Sequence, residues 1–152
     1  MYTKILLPMD GSSASWAAIP HAAYLAQIGS AEVTVLGVID SPLAEAVSHV
    51  LLPLGLPEEH DEAERVIDEV IGELRERGVT SIETRLEQGD PAHQIVACAR
   101  ELHADLIVLG SRHHSAAREL FVGSVAESVV RDSPCPVLLI DQDQAHEGAE
   151  EA

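Results

Sequence analysis

Apolar residues along this chain fall into two alternating arrangements: short unbroken runs, and longer stretches in which they recur every three or four positions. Ile5-Leu6-Leu7, flanked by Lys4 and Pro8, the stretch Glu32 to Ile39 (EVTVLGVI) and the run from Asp105 to Leu109 are short and rich in Val, Ile and Leu. They predict strands buried on both faces. Ser81 to Gln88 alternates Ile82, Thr84 and Leu86 with polar residues, as a half-exposed edge strand would, and Pro136 to Ile140 supplies a fifth run. Helical spacing fills the gaps. A helix capped by Ser12 or Ser13 presents Trp16, Ala23 and Tyr24 on one face, carries Pro20 where a kink is expected, and ends with Gly29 as the residue just past it. From Glu58 to Arg77, Ala63, Val66, Ile67, Val70, Ile71 and Leu74 form one stripe among charged residues, closed by Gly78. Asp90 and Pro91 have the chemistry of an N-cap and a first helical position, ahead of a face made by Ile95, Cys98, Ala99 and Leu102. Val125, Ala126, Val129 and Val130 mark a fourth helix behind Gly123-Ser124. Asp40 to Pro57, with three prolines and the apolar run VLLPLGLP, fits neither arrangement.

Five strands alternating with four helices predict an α/β fold, a doubly wound five-stranded parallel sheet with helices on both faces, because each right-handed crossover must cover a face. Such a sheet needs an aliphatic interior. The composition provides it: 46% hydrophobic residues with one Trp, one Phe and two Tyr. A length of 152 residues suits a single domain, read as 1–140 and followed by an acidic tail, 141–152, with too little apolar content to order itself.

Charge narrows the partners. Against 26 Asp and Glu stand 9 Lys and Arg, a formal net charge of −17, which repels nucleic acid and anionic membranes alike. Lys4 is the only lysine, a bias that a salt-adapted source or an arginine-favouring genome would each produce. No stretch reaches the 18 apolar residues of a membrane span, and MYTKILLPMD lacks the features of a signal peptide. Cys98 and Cys135 are far apart and form no metal or disulfide framework, so a cytoplasmic location is expected.

Two places carry candidate chemistry. Asp10-Gly11-Ser12 follows the first strand, at the carboxyl end where open α/β sheets bind ligands. Gly123-Ser124 opens a helix, whose first amides lack intrahelical acceptors and attract an anion. Asp10 is equally suited to a turn or cap. A G-x-x-x-x-G-K-[ST] loop is absent, which excludes P-loop chemistry, and no G-x-G-x-x-G follows the first strand, which argues against a dinucleotide. The acid and lysine of a response-regulator receiver are missing too. His113-His114 has no third ligand placed nearby, so no metal site is expected; Arg112 and Arg118 are candidate phosphate partners. No nucleophile and base stand at a recognisable spacing, which favours binding over turnover.

Gly110, Ser111-Arg112, His113, nine further residues and Gly123-Ser124 together resemble the G-x2-G-x9-G-[ST] motif of the universal stress protein family. His113 stands where nucleotide-binding members have glycine. The resemblance implies the strand order 3-2-1-4-5, with the first and fourth strands neighbours at a topological switch point. It implies that Pro8, Met9 and Asp10 contact the adenosine part of ATP and that Val38 offers backbone groups to the adenine ring. Leu109, Gly110, Ser111, Arg112 and His113, with Gly123, Ser124 and Val125, would surround the phosphates, whose charge Mg²⁺ would normally share. It further implies a homodimer formed through the last strand, acting as a stress-response or regulatory module. A member that has lost nucleotide binding and serves protein interaction is the alternative.

Overall fold

The structure, a computed structural model, describes residues 1–40, 57–111 and 123–141. The expected acidic tail beyond Asp141, the apolar segment 41–56, and Arg112, His113, His114 and Arg118 lie outside the described residues. In chain order the elements are β1 (Lys4–Met9), α1 (Ser13–Gly29), β2 (Glu32–Ile39), α2 (Pro57–Glu76), β3 (Ile82–Gln88), α3 (Pro91–Glu101), β4 (Leu106–Ser111), α4 (Ser124–Asp132) and β5 (Val137–Asp141). All strand pairs are parallel, in the order β3-β2-β1-β4-β5. The fold class is the one the hydrophobic pattern predicts, and the strand order is the one the family resemblance implies.

Strand residues divide between two cores. Ile5, Leu7 and Met9 of β1, Val33 and Val35 of β2, and Leu106 and Val108 of β4 face the layer of α1 and α2. Leu6, Leu36, Ile107 and Leu109 face that of α3 and α4. Both faces of the central strands are therefore dry, which is why these segments read as unbroken apolar runs. Burying a leucine as fully as Leu6, Leu7 or Leu36 contributes about 2 kcal/mol each.

Helix α1 lies close on the sheet because its inner face is nearly all small: Ala14, Ala18, Ala22 and Ala26 recur every four residues beside Ile19. Tyr24, expected on the buried face, is instead 65% exposed, since the alanine stripe makes the contact from the other side of the helix. The helix continues through Pro20 to Gly29, and Ser30, at φ 48°, is its left-handed cap. Gly29 is thus the last helical residue and not the one beyond it. A different constraint holds glycine there, because a Cβ would run into the Tyr2 carbonyl. Asp90 caps α3, accepting from His93 N at 2.9 Å, with Pro91 at the first position as expected. Gly78 closes α2 at φ +90°.

At the amino ends of the central strands, Asp105 accepts hydrogen bonds from Thr3 N (2.9 Å), Thr3 Oγ1 (2.9 Å) and Lys4 N (3.1 Å), tying the start of β4 to that of β1. Burial pushes this carboxyl up, but the Thr3 and Lys4 donors and the terminal ammonium outweigh it and hold it below its ordinary value. A depressed folded-state pKa means stability that is whole above the unfolded carboxylate value and lost as pH falls through the folded one. Asp105→Ala is expected to cost about 1 kcal/mol at neutral pH, less than the usual worth of bonds to a charged group because water screens this partly exposed site. Urea midpoints of wild type and variant should converge in acid.

Candidate functional site

The carboxyl ends of β1 and β2 open into a cleft of about 480 Å³, within the size range of small-molecule sites. Its floor is Met9, Asp10 and Gly11 from the end of β1 and Gly37, Val38, Ile39 and Asp40 from β2. Its wall is the first turns of α2, through Glu58, Glu59, Glu62, Ala63 and Val66. Gly11 takes φ +80°, a conformation that favours glycine, and lets the chain turn out of β1 into α1. Asp10 Oδ1 accepts from Ser12 N at 2.9 Å, the turn role open to it from its type. Ser12 then caps α1, its Oγ accepting from Ser15 N at 3.2 Å.

Of the expected adenosine contacts, Met9, Asp10 and Val38 line this cleft together. Pro8 is buried within β1. Leu109, Gly110 and Ser111 close β4 beside β5, Gly110 paired with Ile140 and Ser111 with Asp141. Gly123 is the N-cap of α4, and Ser124 and Val125 are its first residues. Ser124 is exposed and Val125 partly buried. Whereas α1 and α3 begin with side-chain caps, α4 has none, since its cap position is a glycine. Its leading amides are served by no cap side chain, as an anion site requires.

Both matched glycines have a conformational reason as well. A Cβ on Gly110 would collide with the Ala14 carbonyl group and sit 2.7 Å from Ser15 N, so the first turn of α1 rests on the backbone of β4 at that point. Gly123 has φ 87° and ψ 144°, a region closed to other residues.

The acidic wall was not foreseen. Glu58, Glu59 and Glu62 read in sequence as the solvated side of an amphipathic helix, and no local signal places them over the ends of two strands. Also unforeseen, His60, Asp61 and Glu64 bring donor atoms within 4.8 Å of one another on α2, with His60 Nδ1 3.5 Å from Glu64 Oε1. Asp61 and Glu64 are exposed, and such surface groupings are ordinary on acidic helices.

Thiol chemistry is disfavoured. Burial pushes the Cys98 thiol up despite Arg85, whose Nη1 lies 3.8 Å from Sγ, and burial likewise raises Cys135. Both are free thiols. Arg85 is occupied by Glu101 at 2.9 Å and Glu87 at 3.3 Å. Among the described residues no helix is long and apolar enough to cross a membrane.

Comparison with known proteins agrees with this architecture. The model of the universal stress protein family matches residues 1–141. A universal stress protein of Methanocaldococcus jannaschii is 38% identical over 144 residues, covering 92% of this chain and 82% of the relative. The solved structure of the universal stress protein UspA from Lactobacillus plantarum superposes with a TM-score of 0.74 at 31% identity, covering 91% of this chain and 97% of that one. Two further structures hold ligands. A universal stress protein in complex with cAMP has a TM-score of 0.70, 26% identity and coverage of 93% and 98%. The Archaeoglobus fulgidus protein in complex with dAMP has a TM-score of 0.69, 25% identity and coverage of 91% and 98%. The chain belongs to the universal stress protein family.

Proposed function

We propose that this protein binds an adenine nucleotide, ATP in particular, and acts as a dimeric cytoplasmic module of the stress response that binds its ligand without turning it over. The adenosine end would lie against Pro8, Met9, Asp10 and Val38. The phosphates would lie toward Leu109, Gly110, Ser111, Arg112 and His113 and the start of α4 at Gly123, Ser124 and Val125. The observation that carries this reading is the start of α4, a helix N-terminus with a glycine in place of a side-chain cap and an exposed serine hydroxyl beside it. Relatives of the same fold in complex with cAMP and dAMP support it. Magnesium, if bound with the nucleotide, would neutralise part of the phosphate charge beside an acidic protein. Free thiols at both cysteines suit a reducing compartment.

Titration with ATP and Mg²⁺, followed by heat and by melting, tests the reading, together with analysis of nucleotide released from protein purified without added ligand. Saturation at a hundred times Kd should stabilise the fold by about 2.7 kcal/mol. No phosphate release above background is expected. If millimolar ATP gives neither heat nor a melting shift, the protein is a nucleotide-free interaction module, a reading that the acidic cleft wall favours.

The dimer would form through β5. Val137, Leu138 and Leu139 are only partly buried, and β5 pairs with β4 along one edge while no described strand covers the other. An open apolar edge invites a second copy. Sedimentation at micromolar concentration should show a dimer that Leu138→Lys and Val137→Pro dissociate. A monomeric wild type, or a dimer that both variants retain, removes the idea.

A further inference from the structure

Among the described residues the large apolar side chains left exposed are Met1, Tyr24, Ile28 and Val130, and the first three share the carboxyl end of α1. Tyr24 and Ile28 stand one turn apart on the helix. Met1 is brought alongside because Gly29 has no side chain: the Tyr2 carbonyl occupies the place of a Cβ there, and Met1 Cγ is 3.9 Å from it. The left-handed cap at Ser30 and the packing of Tyr2 and Leu25 on the core hold this patch in shape. It is also poor in charge, although the chain carries −17. Helix α1 is the one described helix without an Asp, Glu, Lys or Arg. At its rim charges come in opposite pairs, Arg77 with Glu73 at 3.1 Å next to Gln27, and the terminal ammonium with Asp105. The cleft at the other end of the strands is lined by five acids and no base. Segments 41–56 and 112–122 join elements at that other end, and 142–152, which starts there too, contains no large apolar residue.

We propose that this face is a docking surface for a second copy of the chain, α1 against α1 about a two-fold axis. Charge selects that partner. Two chains of net charge −17 repel one another over most of their surfaces, and an apolar face with a balanced rim is where they can meet with least repulsion. A rim holding both signs is complementary to itself, since a two-fold axis can set the bases of one copy against the acids of the other. A strongly basic partner gains little at such a rim. Area sets the strength. Three large side chains and their surroundings fall short of the roughly 800 Å² that each partner buries in a standard interface, so the contact is weak. It is separate from the pairing along β5 and from nucleotide binding, and it is empty at the micromolar concentration where the β5 pairing is tested. Repulsion opposes it, so it tightens as salt screens the charge, and assembly of the protein responds to ionic strength.

Sedimentation equilibrium of the full chain from micromolar to near-millimolar concentration, in low and in molar potassium chloride, tests the proposal. The mass should rise above its micromolar value, and rise further in the higher salt. Ile28→Glu and Tyr24→Glu should each weaken this added association at least tenfold, while Ile28→Leu, which keeps the apolar surface, should retain it. Leu138→Lys, which addresses β5, should lower the micromolar mass and leave the added association in place, so the two contacts fail independently. Melting at low protein concentration accompanies each variant and should be unchanged, because both side chains are exposed. A mass that does not rise, a rise that both glutamate variants keep, or a rise that salt weakens overturns the proposal. So does a midpoint lowered by Ile28→Glu at low concentration, which would show that the chain itself covers the patch. A helical peptide of leucine and lysine is the last probe: if it binds wild type but not Ile28→Glu while the protein alone stays unassociated, the face belongs to a basic partner and not to a second copy.

Discussion

Gly110→Ala should destabilise the ligand-free protein by about 3 kcal/mol, near the upper end of what overpacking a core costs. The added methyl would meet backbone, the carbonyl group of Ala14 and the amide nitrogen of Ser15, and backbone cannot rotate away as a side chain can. Movement of α1 as a whole is resisted from both ends of the contact. Ser12 fixes its first turn, and the stripe of Ala18, Ala22 and Ala26 holds the rest at close range on the sheet. Thermal or urea unfolding without nucleotide gives the measurement. A loss below about 1 kcal/mol would mean that α1 can lift at its amino end and that the packing at β4 is looser than drawn. The expected result also changes how the motif is read. Glycine at position 110 is demanded by the fold with or without a ligand, so its presence in a related sequence does not by itself report nucleotide binding.

Much of this fold could be read from the chain because its determinants are local. The central strands are buried on both faces and so appear as unbroken apolar runs, and Asp90-Pro91 announces α3 by cap chemistry alone. Position 30 is harder. Serine took the left-handed cap while the neighbouring glycine was kept for a contact with Tyr2, a residue 27 positions away that no window around the helix contains. Tyr24 failed for a related reason. Alanines gave a weak apolar signal and the tyrosine a strong one, yet close packing on a sheet selects the small residues. At the site, Asp10 and Gly123 were visible because turn and cap positions have their own residue preferences. The carboxylates of α2 were not, because an acid facing solvent and an acid facing a cleft are the same letter at the same helical spacing. Only the packing of α2 against the sheet brings them over the strand ends.

The start of α4 should separate fold from ligand when two adjacent residues are changed. Gly123→Ala forces a side chain into φ 87°, ψ 144°, and should cost about 1–3 kcal/mol of stability without nucleotide. Relief of that strain would turn the leading amides of α4 away from their present direction, so ATP affinity should fall at least tenfold as well. Ser124→Ala touches neither term of the fold. Its side chain is exposed and follows the cap, and stability should stay within about 0.5 kcal/mol of wild type. If the hydroxyl and the amides beside it hold phosphate, the same substitution should still weaken ATP severalfold, because a hydrogen bond to a charged group is worth about 1.5–3 kcal/mol before solvent discounts it. The penalty should shrink with AMP if Ser124 meets the β- or γ-phosphate and persist if it meets the α-phosphate. Calorimetry with ATP, ADP and AMP on both variants, beside their melts, distinguishes the outcomes. If Ser124→Ala binds all three as wild type does and Gly123→Ala loses stability alone, the start of α4 is a structural turn and the phosphates lie elsewhere.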